Sequence, residues 1–239
     1  MIRRLVAVLL ATVAMVIVAP VVAPAADAAP ATDQAEAIAR TGVLVLSDFP
    51  TGWTQSARAA SSDAGLDAAA TKISSCRAFR TFIAATRKQP RVQSPDFDDQ
   101  QSNVSNSVSM FPSTARATAA MDSFADSRLP PCLERLFTKI FRAELTKKKD
   151  VAGQIASVRA SIQPVSGLHI GDEVVAYQGA VAIALKDGTT QSIGVGVMSV
   201  RVGSAVDGYS WTSDTDISAA LQPAIVTSVA RLHAAQPAR

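Results

Sequence analysis

Few side chains in this chain are of a kind that does chemistry. In 239 residues there are two histidines, His169 and His233, and two cysteines, Cys76 and Cys132. A zinc hydrolase needs ligands clustered as in H-E-x-x-H, but the histidines are far apart and neither has a motif partner. A serine nucleophile would stand in G-x-S-x-G or S-x-x-K, and neither pattern occurs. The run Gly194-Val195-Gly196-Val197 is no phosphate loop, because it falls inside an alternating run where glycines suit close packing. The pairs Asp98-Asp99 and Asp214/Asp216 read as loop carboxylates and helix caps. His169, in "GLHIGDE", reads as a surface turn residue. Triad partners from distant positions could still meet in space. A hydrolase with an unrecognised site therefore stays as the alternative to a non-enzymatic protein.

The cysteines take their meaning from the N-terminus. Arg3 and Arg4 precede the apolar run Leu5 to Val18, and Ala26-Asp27-Ala28 supplies an A-x-A cleavage pattern. Residues 1–28 thus read as a signal peptide and 29–239 as a single secreted domain with an ordered core over about 33–235. The rival is an uncleaved membrane anchor, against which stand the shortness of the run and the breaks at Pro20 and Pro24. After cleavage no transmembrane segment is expected. In an exported chain two cysteines read as one disulfide; buried thiols or a redox pair are the alternatives, and no C-x-x-C favours the latter. Of 23 basic and 20 acidic residues, cleavage removes Arg3, Arg4 and Asp27, leaving a net charge of +2. That is too weak for a nucleic-acid partner. The "KKKD" run at Lys147–Asp150 reads as a solvated helix end.

Periodicity assigns the elements that would position any site. A helix is expected over Thr32–Leu46, with Glu36 and Arg40 at i, i+4, stopped by the "DFPTGW" turn. Another is expected over Ile73–Thr86, with Ile73, Cys76, Phe79 and Ile83 at helical spacing. "RKQPRVQSPDFDDQQ" reads as loop. In "NVSNSVSMF" the period is two, with Val104, Val108 and Met110 opposite Ser105, Ser107 and Ser109, which gives a half-buried strand. Ser113 can cap a helix bearing Ala117, Ala120, Met121 and Phe124. "LPPCLERLFTKIFRAELTKK" gives an amphipathic helix with Leu133, Leu136, Phe137 and Ile140 on one face. From Gly153 a β-meander follows. Ala156, Val158, Ala160 and Ile162 alternate with polar residues, Asp187-Gly188 marks a hairpin, and "GSAVDGYSWTS" is one more strand. In "SIGVGVMSVRV" the apolar parity changes, which requires either two covered faces or a bulge near Met198-Ser199. Asp214 or Asp216 can cap a closing helix with Ile217, Leu221, Ile225 and Leu232, in which Pro223 marks the first turn or a kink. The fold class is α+β: one antiparallel twisted sheet, made of one early strand plus a C-terminal meander, with helices mainly on one face.

The ordered signals "LSDFPTGWT", a helical Cys76, "SPDF", "VSNSVSMFPSTARATAAMDSF", "CLERLF", "GDEVVAY", "VRVGSAV" and Arg231-Leu232 together resemble the actinobacterial secreted and lipid-anchored envelope domains related to the extracellular sensor domain of PknH-type receptor kinases. The resemblance covers most of the mature chain. It implies a compact α+β unit with an antiparallel sheet and a cleft that binds an unknown ligand. That family pattern has four cysteines in two bridges, so here one bridge carries over. The chain has no kinase region and no second transmembrane segment.

One sheet face bears on such a ligand. On Glu173–Leu185, Val175, Tyr177, Val181, Ile183 and Leu185 make a bulky face, while Ala176, Ala180, Ala182 and Ala184 lie opposite, and Gly194 and Gly196 follow on the next strand. Aligned, these residues form a shallow trough, which either seats a helix or serves as an apolar groove. In "LSDFPTGWT", Asp48 can take backbone hydrogen bonds, Gly52 permits positive φ, and Phe49 and Trp53 can point inward. This makes a stapling loop, with Trp53 at a pocket mouth as the other reading. The expected ligand-binding residues are therefore Trp53, Ala176, Ala180, Ala182, Gly194 and Gly196. The expected partner is a small apolar ligand or an envelope protein, outside the membrane or in the cell envelope, with no metal and no cofactor.

Overall fold

The computed structural model describes residues 29–58, 68–215 and 217–236. Residues 1–28, expected as a signal peptide, and the capping alternative Asp216 lie outside the described residues. Alternation becomes sheet where expected: β5 (Ile155–Val165), β6 (Glu173–Leu185), β7 (Thr190–Val202) and β8 (Ala205–Ser213) form an antiparallel meander. Thr189 N donates to Asp187 Oδ1 at 2.9 Å in the Asp187-Gly188 turn that closes β6 on β7. The early strand β4 (Ser102–Met110) pairs antiparallel with β8, from Ser102 opposite Ser213 to Met110 opposite Ala205.

The segment expected to be loop between residues 87 and 101 contains two short strands, β2 (Arg91–Gln93) and β3 (Asp96–Asp98), and a third, β1 (Thr54–Ser56), extends the sheet beyond β3. Each has three residues, too few to display a period, and Pro95 separates β2 from β3. The eight strands run β1-β3-β4-β8-β7-β6-β5, with β2 also on β4.

Helices α2 (Arg77–Arg87), α3 (Thr114–Phe124), α4 (Leu129–Lys147) and the short α5 (Lys149–Ala152) pack on one face of the sheet. The chain-terminal helices α1 (Ala29–Thr41) and α6 (Ser218–Ala235) pack on the other. Two cores result, and they explain the parity change in β7. The β6–β7 register runs unbroken past Met198, so there is no bulge. Ile193 and Val195 enter the four-helix core, whereas Met198, Val200 and Val202 enter the core under α1 and α6. The β5–β6 register does shift, between Ile155 and Ser157, and Ala156 is exposed there rather than sharing the face of Val158.

Both faces of β4 are covered as well. Val104, Val108 and Met110 are buried as expected, but so are Ser105 and Ser109, so this strand is not half-buried.

Local signals set two helix starts. Ser113 Oγ accepts the Arg116 N–H at 3.3 Å, and Pro130 and Pro131 occupy the first turn of α4. Two helix ends differ from expectation. α1 stops at Thr41 rather than Leu46, because Arg231 of α6 takes the Thr41 and Val43 carbonyls, each at 3.0 Å, and holds the chain out of the helix. α6 has Ile217 at its N-cap position, with no side-chain cap, while Asp214 is exposed and lies upstream. Pro223 lies within α6.

Cys76, just before α2, and Cys132, in the first turn of α4, form a disulfide with Cα atoms 4.9 Å apart, and both are fully buried. It ties the helical layer together beside the cluster of Phe82, Phe124 and Tyr177, whose hydroxyl donates to the Phe124 carbonyl at 3.0 Å. Among the described residues no helix is long and apolar enough to cross a membrane.

Candidate functional site

The small residues of β6 and β7 do line up. Ala180 is opposite Gly194, and Ala182 opposite Ser192. Ala180, Ala182, Ala184 and Gly194 are half-buried. α1 and α6 lie over β2, β4 and β7, and the core they form on this face contains Met198, Val200 and Val202 but none of these four residues. The strip is a narrow shelf of small residues, flanked across strands by Arg159 and Ser161 on β5 and by Thr190 and Ser192 on β7, and no helix among the described residues forms a core with it.

The other residues expected with them lie apart. Ala176 is buried in the α1/α6 core. Gly196 is buried beneath the Trp211 indole: a Cβ there would meet Trp211 Cζ2 at 2.0 Å. Gly196 and Trp211 are direct cross-strand partners, and the missing side chain is what lets the ring lie flat on the strand. Trp211 is thus the tryptophan at the shelf, and only knowledge of the β7–β8 register could have identified it.

Trp53 belongs elsewhere, since β4, β8 and β7 separate its neighbour β3 from β6. It stacks on Phe49 with ring centroids 4.5 Å apart, and Phe49 packs on Phe97 at 4.9 Å. Asp48 Oδ2 accepts the Val45 N–H at 2.9 Å, and Gly52 has a φ of 104°. Arg231 grips Asp48 through both terminal nitrogens, at 2.6 and 2.8 Å. These bonds raise the Arg231 pKa above its ordinary value. The loop is a staple between α1, α6 and the sheet.

Beside it lies a buried polar cluster that the sequence did not announce. Asn106 stands on the same face as Val104 and Val108 and is 1% exposed; its Nδ2 donates to the Gly42 carbonyl at 3.0 Å and to Asp207 Oδ1 at 2.9 Å, and its Oδ1 accepts the Leu44 N–H at 3.0 Å. Tyr209 bonds Asp207 Oδ2 and also Ser228 Oγ, at 2.6 Å, and Ser228 donates to the Ile225 carbonyl at 3.0 Å. Burial pushes the Asp207 carboxyl up to about 8, although Tyr209, Asn106 and Arg231 each pull it down. Asp207 and Ser228 are completely buried and Tyr209 is 2% exposed. Every group in the cluster spends its bonds on the fold, and none faces a space that could admit substrate.

The other candidate chemistry is equally occupied. Asp98 and Asp99 accept backbone N–H groups of Gln100, Gln101 and Ser102 in the β3–β4 turn. His169 and His233 are exposed. Asp126 is held down at about 2 by hydrogen bonds from Arg128, at the surface. Among the described residues no group of three or more His, Cys, Asp and Glu could hold a metal.

An open groove of about 680 Å³ runs between α4 and β5, the edge strand of the meander. Thr138 Oγ1 accepts the Ala160 N–H at 3.0 Å and Glu134 Oε1 accepts the Ile162 N–H at 3.1 Å. The match is geometric: four residues rise about 6 Å along a helix, and two span about 6.8 Å along a strand. Pro164, next on that edge, has no N–H to satisfy. α4 thereby blocks the edge from pairing with another chain. Above these bonds stand Arg135, Lys139, Arg142 and Arg159.

No model of a known protein family matches the chain, and no curated protein matches it.

Proposed function

We propose that this protein is an exported, non-catalytic binding domain of the bacterial cell envelope, and that it holds a lipid-like or other small apolar ligand, or an apolar patch of an envelope partner, against the uncovered part of its sheet. The observation that carries the reading is the shelf of Ala180, Ala182, Ala184 and Gly194. It is half-exposed, is covered by no helix among the described residues and is bordered by the Trp211 indole. Small side chains make a surface that an acyl chain or a flat apolar face can approach closely. The N-terminal segment and the Cys76–Cys132 disulfide support an oxidising destination. The resemblance to kinase sensor domains supports ligand binding outside the membrane. A hydrolase finds no support in Asp207, Tyr209 and Ser228, because all three are enclosed.

Trp211 provides the test. In a Trp53→Phe variant it is the sole tryptophan, and titration with phosphatidylcholine vesicles should shift its emission to the blue and raise its intensity. Unchanged emission, with the fold intact by circular dichroism, would remove the shelf as a binding surface.

A further inference from the structure

Four basic residues converge on the groove between α4 and β5. Arg135, Lys139 and Arg142 stand at i, i+4 and i+7 on one side of α4, spread over about 10 Å, and Arg159 faces them from β5. Among the described residues none of the four forms an ion pair. Other basic residues do: Arg201 bridges Asp172 and Glu173, Arg231 grips Asp48, Arg128 holds Asp126, and Lys147 holds Glu144. Among the described residues Glu134 is the one carboxylate that lines the groove, and its Oε1 accepts the Ile162 N–H. A chain of formal charge +3 thus gathers four cations against a single carboxylate around one concave surface. Like charges at helical spacing repel one another, and a bound anion relieves that repulsion.

The groove and the shelf lie on either side of the edge strand β5: α4 packs on one face of the sheet, the shelf is on the other, and Arg159 links them. Arg159 pairs across strands with Ala182, and Ser161 with Ala180. A guanidinium at the rim of an apolar strip suits a ligand with an anionic head and an apolar body, and arginine suits phosphate through its fork of donors.

We propose that the α4/β5 groove binds the phosphate group of an anionic amphiphile, with Arg135, Lys139, Arg142 and Arg159 around the phosphate and the apolar part of the ligand lying over β5 onto the Ala180–Ala182–Gly194 shelf. This rests on the apolar-ligand reading above and specifies its ligand class.

The test uses the secreted chain, vesicles of phosphatidylcholine with and without phosphatidylglycerol, and tripolyphosphate as a soluble probe. Arg142→Glu is compared with Arg40→Glu, which makes the same charge change on the exposed face of α1. The wild type should prefer the phosphatidylglycerol vesicles, with binding that weakens as salt rises. Arg142→Glu should weaken that binding by about thirtyfold, from two unit charges near the surface, while Arg40→Glu leaves it within a few-fold of wild type. Equal binding to both vesicles, unmoved by Arg142→Glu, overturns the phosphate assignment and leaves the apolar shelf standing. Binding of tripolyphosphate without binding of either vesicle overturns the amphiphile and the apolar reading together. Binding of no probe at low ionic strength overturns the proposal outright.

Discussion

Asp207 gives the fold a pH dependence opposite to the common one. Its carboxyl is fully buried and raised to about 8 by desolvation, against about 3.9 in an unfolded chain. Between those values the native state holds a proton that the unfolded state has released, so unfolding becomes easier as pH rises. The limiting slope is about 1.4 kcal/mol per pH unit. From pH 5 to pH 7 this group alone should remove about 2–3 kcal/mol of stability, a large share of a typical 5–15 kcal/mol. Asp126 and Asp187 are shifted down, so whatever they contribute is lost only in more acidic solution, below the window of Asp207. The perturbation is Asp207→Asn. An amide oxygen still accepts from Asn106 Nδ2, and the amide nitrogen donates to Tyr209 Oη, whose proton turns to Ser228. Urea unfolding at pH 5, 6 and 7 should give a wild type that weakens across the series and a variant that stays nearly flat and matches or exceeds wild type at pH 7. A wild type equally stable at pH 5 and 7, or a variant that retains the slope, would refute the buried neutral carboxyl.

Three further outcomes follow from the same contacts. Cys76→Ser should cost about 4 kcal/mol in the loop-entropy account, read as a clear drop in melting temperature, with the Cys76→Ser/Cys132→Ser double variant no worse than either single; an unchanged melting temperature contradicts it. Arg231→Ala removes four hydrogen bonds to Asp48, Thr41 and Val43 and should cost about 2–4 kcal/mol. Arg231→Lys should recover only part of this, because an ammonium cannot make the same fork; full recovery in thermal unfolding would show that charge alone matters. Gly196→Ala drives a Cβ into the Trp211 ring and should cost about 1–3 kcal/mol, with Trp211 emission moving toward that of a solvated indole; a stable variant with unchanged emission would contradict the close packing.

The sequence was legible where one face of an element repeats. β5 to β8 showed themselves through alternation, α3 and α4 through their apolar stripes, and the disulfide through an even cysteine count in a chain expected to be exported. Three kinds of feature stayed hidden. The strands β1, β2 and β3 are too short to display a period, and Phe97, fully buried, gave no sign of it within a polar segment. Asn106 and Asp207 look like turn residues by type, and only the β4–β8 pairing that sets them diagonally across from each other makes them core. The small-residue strip was readable from β6 and β7, but Trp211 over Gly196 required the β7–β8 register. Arg135, Lys139 and Arg142 fall on the polar side of an amphipathic helix, and periodicity could not show that α4 runs along the β5 edge, where they share a groove with Arg159.

The central claim is that the protein holds an amphiphile outside the membrane. Native mass spectrometry of the protein purified from its own host without detergent tests this most directly. The account predicts a population heavier than the disulfide-bonded chain by the mass of one phosphate-bearing lipid, released on collisional activation and depleted in Arg142→Glu. A bare chain alone, from wild-type protein that also fails to take up phosphatidylglycerol, would contradict it.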